Sequence, residues 1–72
     1  MKNYHINIFY SDEDQGYIAD VPDLKYCSAF GETPQKALDE VLIAMKLWFK
    51  EAEESGLEIP LPNYRPLIYQ VS

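Results

Sequence analysis

Thr33-Pro34-Gln35-Lys36-Ala37-Leu38-Asp39-Glu40-Val41-Leu42-Ile43-Ala44-Met45-Lys46-Leu47-Trp48-Phe49-Lys50-Glu51-Ala52-Glu53-Glu54-Ser55-Gly56, residues 33–56, governs how the rest of the chain is read. Threonine before proline marks a helix start. The hydroxyl caps a backbone N–H left over in the first turn, and a proline at the first helical position has no N–H to leave unsatisfied. Ala37, Leu38, Val41, Leu42, Met45, Trp48, Phe49 and Ala52 then recur at 3.6 spacing as one apolar stripe. Gly56 supplies the left-handed residue that ends a helix. The pattern predicts a helix from Pro34 to about Ser55 whose stripe packs on a sheet. Truncating Leu42 or Trp48 is then expected to cost about 2–5 kcal/mol.

Upstream the period changes from 3.6 to 2. In residues 3–10, Tyr4, Ile6, Ile8 and Tyr10 fall on one face and His5, Asn7 and Phe9 on the other, which predicts a first strand. The polar run 11–16 ends in Gly16 and reads as a turn. Residues 17–21 read as a second strand, stopped by Pro22, which cannot donate to a ladder. Pro22-Asp23-Leu24-Lys25 is a connector, and residues 26–30 read as a third strand ending at Gly31. Beyond the helix, Pro60 and Pro62 make residues 57–62 extended coil, and residues 67–71 read as a fourth strand. The expected fold class is α+β, a β-β-β-α-β single domain over residues 1–72. A right-handed crossover would place the last strand parallel to the first, giving a four-stranded sheet of order 3-2-1-4 with the helix on one face. The other face is left open to a partner or to self-association.

Composition narrows the function classes. A chain of 72 residues buries only about 60% of its unfolded surface. Its core supplies roughly 3–5 kcal/mol of net stability unless something assists it. One cysteine, Cys27, excludes an internal disulfide, and with one histidine, His5, a Cys/His metal cluster is excluded too. Self-association remains, so a homodimer or higher homo-oligomer is expected. No cofactor is expected, because the three glycines stand singly at 16, 31 and 56 and form no phosphate loop. There is no run of about 18 apolar residues to span a membrane. The absence of a signal-type apolar region after Met1, with the free thiol, suggests the cytoplasm. Six Lys/Arg against twelve Asp/Glu give a net charge of −6. The bases, Lys2, Lys25, Lys36, Lys46, Lys50 and Arg65, are scattered, so direct nucleic-acid binding by this chain alone is not expected. A basic protein would be steered in by this field, although such a charge also serves plain solubility.

Three stretches carry a family resemblance. Gly16-Tyr17-Ile18-Ala19-Asp20-Val21-Pro22-Asp23-Leu24 resembles the opening hairpin of HicB-like proteins. Cys27-Ser28-Ala29-Phe30-Gly31-Glu32-Thr33-Pro34-Gln35-Lys36-Ala37-Leu38 resembles their strand-to-helix turn, and Gly56-Leu57-Glu58-Ile59-Pro60-Leu61-Pro62 their exit from the helix. The resemblance covers roughly residues 4–62. It implies a truncated ribonuclease-H-like unit, and it implies an antitoxin that binds and neutralises a small basic, HicA-like ribonuclease toxin. The sequence departs from the family where Lys25-Tyr26 precedes the cysteine in place of Pro-Gly, which suggests a different turn between strands 2 and 3. It also lacks, within these 72 residues, the helix-turn-helix or ribbon-helix-helix segment with which many members bind operator DNA. The alternative reading is a stand-alone oligomer of this fold with a structural or ligand-binding role and no toxin partner.

Enzymatic chemistry is not expected. Metal-dependent hydrolysis requires carboxylates converging on the metal ions, and residues 2–10 contain no Asp or Glu. Asp20 and Asp23 sit where acids commonly form turns, and Glu51, Glu53 and Glu54 read as a solvated helix end. Cys27 and His5 are formally a nucleophile and a base, but nothing near Cys27 in sequence lowers a thiol pKa.

The candidate contact residues are Asp12, Glu13, Asp14, Ile43, Leu47 and Tyr69. Ile43 and Leu47 are i and i+4 on the helix face opposite the stripe, rimmed by Lys36, Glu40, Lys50 and Glu54. They are either an interface or a surface covered by Leu57, Ile59 and Leu61. Asp12-Glu13-Asp14 would meet basic groups or simply form a solvated turn. The six tyrosines, Tyr69 among them, suit interfaces and strands alike, and some are expected on the sheet face away from the helix.

Overall fold

A computed structural model of the protein describes residues 3–65. Three strands precede one helix: β1 (Asn7–Ser11), β2 (Gly16–Asp20), β3 (Ser28–Gly31) and α1 (Pro34–Ser55). The helix has the bounds its caps dictate. Thr33 is extended (φ −130°, ψ 161°), and its Oγ1 accepts from the Lys36 N–H at 3.1 Å. At the other end Gly56 is left-handed, with φ 72°. There the Gly56 N–H donates to the Glu53 carbonyl at 3.3 Å and the Leu57 N–H to the Ala52 carbonyl at 2.8 Å, so two of the last free carbonyls are satisfied.

The sheet is antiparallel with order β1-β2-β3. Phe9 pairs with Ile18, which pairs with Phe30; two residues along, Asn7, Asp20 and Ser28 form a second row on the same face. The opposite face carries Ile8, Ala19 and Ala29 in one row and Tyr10, Tyr17 and Gly31 in another. This face receives the helix, which packs chiefly on β3 and β2. The core comprises Ala19, Val21, Leu24, Cys27, Ala37, Val41 and Met45, flanked by Tyr4, Ile6, Tyr17, Leu38, Trp48 and Phe49. Leu42, expected in the stripe, is 41% exposed. At 100° per residue it falls on the flank of the buried arc set by Ala37, Val41, Met45 and Ala52.

The expected four-stranded sheet of order 3-2-1-4 is corrected to three strands among the described residues. The strand read over residues 67–71 lies outside them. Residues 57–65 are irregular, as the prolines predict for 57–62, because Pro60 and Pro62 have no N–H for a ladder. They are tied to other parts of the chain. The Tyr4 hydroxyl donates to the Pro60 carbonyl, and the Tyr64 N–H donates to both carboxylate oxygens of Asp23 at 3.1 Å each. Tyr4 and Ile6 precede β1 and turn toward the core, with the Tyr4 ring 5.7 Å from that of Phe49. Regular pairing therefore starts at Asn7 rather than near residue 3.

The connector between β2 and β3 is a compact turn. Leu24 N–H donates to Val21 O at 3.1 Å, Cys27 N–H to Leu24 O at 3.2 Å and Val21 N–H to Cys27 O at 3.0 Å. Tyr26 closes it with φ 61°, a left-handed conformation that a bulky residue rarely adopts, and its side chain is 94% exposed. This is the position at which the family resemblance has glycine. Tyr26→Gly is expected to raise stability by about 0.5–1 kcal/mol, the left-handed penalty of about 1–2 kcal/mol less the extra chain entropy of glycine. A higher urea midpoint at unchanged slope is the readout; an unchanged or lower midpoint would show that the tyrosine holds this turn without strain.

Candidate protein-binding site

Three surfaces follow from this two-layer arrangement. The first is the outer face of α1. Ile43 and Leu47 lie one turn apart, opposite the buried arc, and are 52% and 58% exposed. Leu57, Ile59 and Leu61 do not cover them. Those residues run beside Trp48 and Lys25, lining a shallow cleft with Asp23. Among the described residues the apolar pair is therefore uncovered, within a rim that includes Lys36, Glu40, Lys50 and Glu54, all exposed.

The second surface is the sheet face away from the helix. Its centre is the Phe9–Ile18–Phe30 row, with Phe9 and Phe30 50% and 45% exposed. The Phe30 ring lies over Gly16, where an added Cβ would fall 2.4 Å from it. At one end of this face His5 Nε2 is 2.7 Å from Asn7 Oδ1, and the Asn7 amide donates to Asp20 at 3.5 Å. The Tyr64 ring lies 4.7 Å from that of His5, tilted by 51°. The tyrosines expected here are mostly elsewhere: Tyr4 and Tyr17 flank the core, Tyr10 packs edge-on against Tyr17 at 5.3 Å, and Tyr26 projects from its turn.

The third is the β1–β2 turn. Asp14 is partly committed to the turn itself, accepting from the Ser11 hydroxyl at 2.8 Å while its N–H donates to Ser11 Oγ at 3.3 Å. Asp12 and Glu13 are exposed beside it. Three of the candidate residues, Asp12, Glu13 and Asp14, thus sit together at one end of the sheet, whereas Ile43 and Leu47 occupy the outer helix surface. Tyr69 lies outside the described residues. Nearer the helix start, Phe30 borders a shallow cleft carrying Glu32, Asp39 and Glu40, and Lys36 lies 3.9 Å from Glu32. The sequence signal for the phenylalanines was the strand alternation, but their alignment into one row depends on register.

Cys27 is buried, and burial, followed by the charge of Asp20, pushes its thiol pKa up. It is therefore mostly protonated near neutral pH and a weak nucleophile. His5 engages Asn7 rather than Cys27. Among the described residues no group of three or more His, Cys, Asp or Glu is placed to hold a metal ion, and no helix is long and apolar enough to cross a membrane.

The fold defines a class: a small α+β chain, one amphipathic helix laid on a three-stranded antiparallel meander, with apolar side chains exposed on both outer faces. Among curated proteins the chain is similar to UPF0150 protein ssl0259 of Synechocystis sp., with 34% identity over 58 residues, 81% of this chain and 78% of that one. The chain belongs to the UPF0150 family. No family model matches it, and no solved structure does.

Proposed function

We propose that the protein is a non-catalytic binding module of the HicB-like antitoxin kind, which covers a small basic, HicA-like ribonuclease toxin. The observation that carries this reading is the exposed Ile43–Leu47 pair on a helix face that no other described residue covers, in a molecule of net charge −6. An apolar centre inside a charged rim is the anatomy of a protein interface, and the acidic field favours encounter with a basic partner. Membership of UPF0150, a small HicB-like family, supports the same reading. The alternative, a stand-alone oligomer with a structural or ligand-binding role, draws support from the uncharged strand β1 and its exposed Ile8, Phe9 and Tyr10.

The test is a pull-down from native extract with tagged protein at low and high salt. A small basic protein should be retained at moderate salt and released as salt rises. Recovery of this chain alone would sink the antitoxin reading and favour the alternative. Given a partner, the double substitution Ile43→Asp with Leu47→Asp should weaken binding by about 2 kcal/mol or more, roughly 30-fold, because it places charge at the apolar centre. Neutralising Asp12 and Glu13 to Asn and Gln should mainly slow association and flatten its salt dependence. Titration calorimetry and stopped-flow kinetics separate the two effects.

A further inference from the structure

In alternating steps of four and three, the outer face of α1 carries Lys36, Glu40, Ile43, Leu47, Lys50 and Glu54. That spacing is the 3.5-residue repeat of a helix–helix seam. All six side chains are exposed. The row is also self-complementary. Turned end for end, it sets Lys36 against Glu54, Glu40 against Lys50 and Ile43 against Leu47.

Within one chain these charges are poorly placed. Lys36 stands in the first turn of α1 and Glu54 in the last, and no acid in the first turn or base in the last offsets them. Both therefore oppose the helix dipole. Lys36 precedes Glu40, and Lys50 precedes Glu54, by four residues, and lysine before glutamate is the weaker order for a pair along a helix. Among the described residues Glu40, Lys50 and Glu54 form no ion pair, and Lys36 meets only Glu32, at 3.9 Å between two largely exposed side chains. Such a pair contributes little and yields readily to another partner.

We infer that α1 pairs antiparallel with α1 of a second copy of this chain through this row, about a two-fold axis midway between Ile43 and Leu47. Each Ile43 then meets Leu47 of the second copy. Each Lys36 meets its Glu54 and each Glu40 its Lys50, so four opposite-charge pairs enclose the apolar centre. The two helix dipoles run in opposite directions, and each misplaced end charge gains an opposite one. The arrangement is closed, because both copies offer the same face.

Two lysines and two glutamates leave the row without net charge, which matches a copy of itself better than a basic surface. The inference rests on the reading of this face as a protein interface and names its occupant when no basic partner is present; the two compete for it. Two chains of charge −6 repel, and Lys46, 80° from the centre of the row, approaches its own counterpart across the axis. Two apolar side chains per copy are also few beside the roughly 20–30 residues a side of a stable complex. The dimer is therefore weak and reversible, with a Kd on the order of 100 µM.

Sedimentation equilibrium of the full chain from about 10 µM to 1 mM should show a monomer–dimer equilibrium. Glu40→Lys sets lysine against Lys50, and Lys50→Glu sets glutamate against Glu40. Each should raise Kd at least about tenfold with the circular dichroism unchanged, since both positions are exposed. In an equimolar mixture of the two variants every reversed charge meets its opposite. A heterodimer should then form with a Kd within about threefold of the wild type. Glu13→Lys makes the same change of charge away from the row and should not raise Kd. A wild type that is monomeric at about 1 mM would overturn the inference, as would a dimer indifferent to both reversals or a mixture that stays monomeric. These outcomes are separate from the pull-down. A basic protein captured by a monomeric wild type upholds the toxin reading without this dimer, and a dimer of the stated register with no captured protein does the reverse.

Discussion

Gly31→Ala should leave little folded protein at 37 °C. A Cβ at Gly31 would lie 2.2 Å from the Ala37 nitrogen, 2.6 Å from the Lys36 carbonyl carbon and 2.8 Å from the Ala37 Cα. All three are backbone atoms of the first helical turn, so no side-chain rotamer relieves the overlap. The end of β3 and the start of α1 would have to separate, which unseats the Thr33 cap and draws Ala37 out of the core. Overpacking a well-filled site costs about 1–3 kcal/mol when side chains can adjust, and here they cannot. A loss of at least about 3 kcal/mol consumes most of the roughly 3–5 kcal/mol that a core of this size supplies. Far-ultraviolet circular dichroism and urea titration are the readouts. A midpoint within error of the wild type would mean that β3 and α1 have more room than this geometry gives them.

Leu24→Ala is the second substitution with a large effect. Leu24 is 1% exposed and is among the largest fully buried side chains, with Val21 and Val41. It belongs to no strand or helix, yet its backbone forms two of the three hydrogen bonds that fold the 21–27 turn. Truncating it removes apolar burial and leaves a cavity beneath the helix, for a cost of about 2–5 kcal/mol. Leu42→Ala, on the half-exposed flank of α1, should cost less than about 1.5 kcal/mol. Equal losses in the two variants would place the core nearer the flank of the helix than the burial pattern does.

These two sites mark where sequence reading runs out. The helix was legible because its signals are local: a capping hydroxyl, a proline at the first position, a 3.6-residue stripe and a terminal glycine all act within one or two turns. Leu24 was not. It stands between Pro22-Asp23 and Lys25 with no periodic partner, so its burial is a tertiary fact. Leu42 was misplaced in the other direction, since a stripe read at 3.6 spacing does not show how wide an arc a small sheet can cover. The strands were found where alternation and turn residues agreed, but their ends shifted once Tyr4 and Ile6 turned toward the core. The four-stranded order relied on a preferred connection for residues 67–71, which lie outside the described residues, and the described residues pair as three strands. At the candidate site, the opposition of Ile43 and Leu47 to the core followed from 100° geometry alone. The phenylalanine row required knowing that Phe9, Ile18 and Phe30 share a register. The left-handed Tyr26 had one sequence clue, the substitution of Lys-Tyr where the resembling family has Pro-Gly.

The chain has one tryptophan, and its position makes it an optical gauge of the assembled fold. The Trp48 indole N–H donates to the Lys25 carbonyl at 3.0 Å, its ring meets Phe49 edge-on at 5.8 Å, and it lines the cleft formed by residues 57–61. Three separate parts of the chain converge on a single fluorophore: the helix, the turn before β3 and the stretch that follows the helix. Emission wavelength and quenching by iodide or acrylamide thus distinguish partial opening from global melting without any label. Release of residues 57–61 alone leaves the Lys25 bond in place and changes chiefly the quencher access. Loss of the 21–27 turn removes that bond and shifts the spectrum itself.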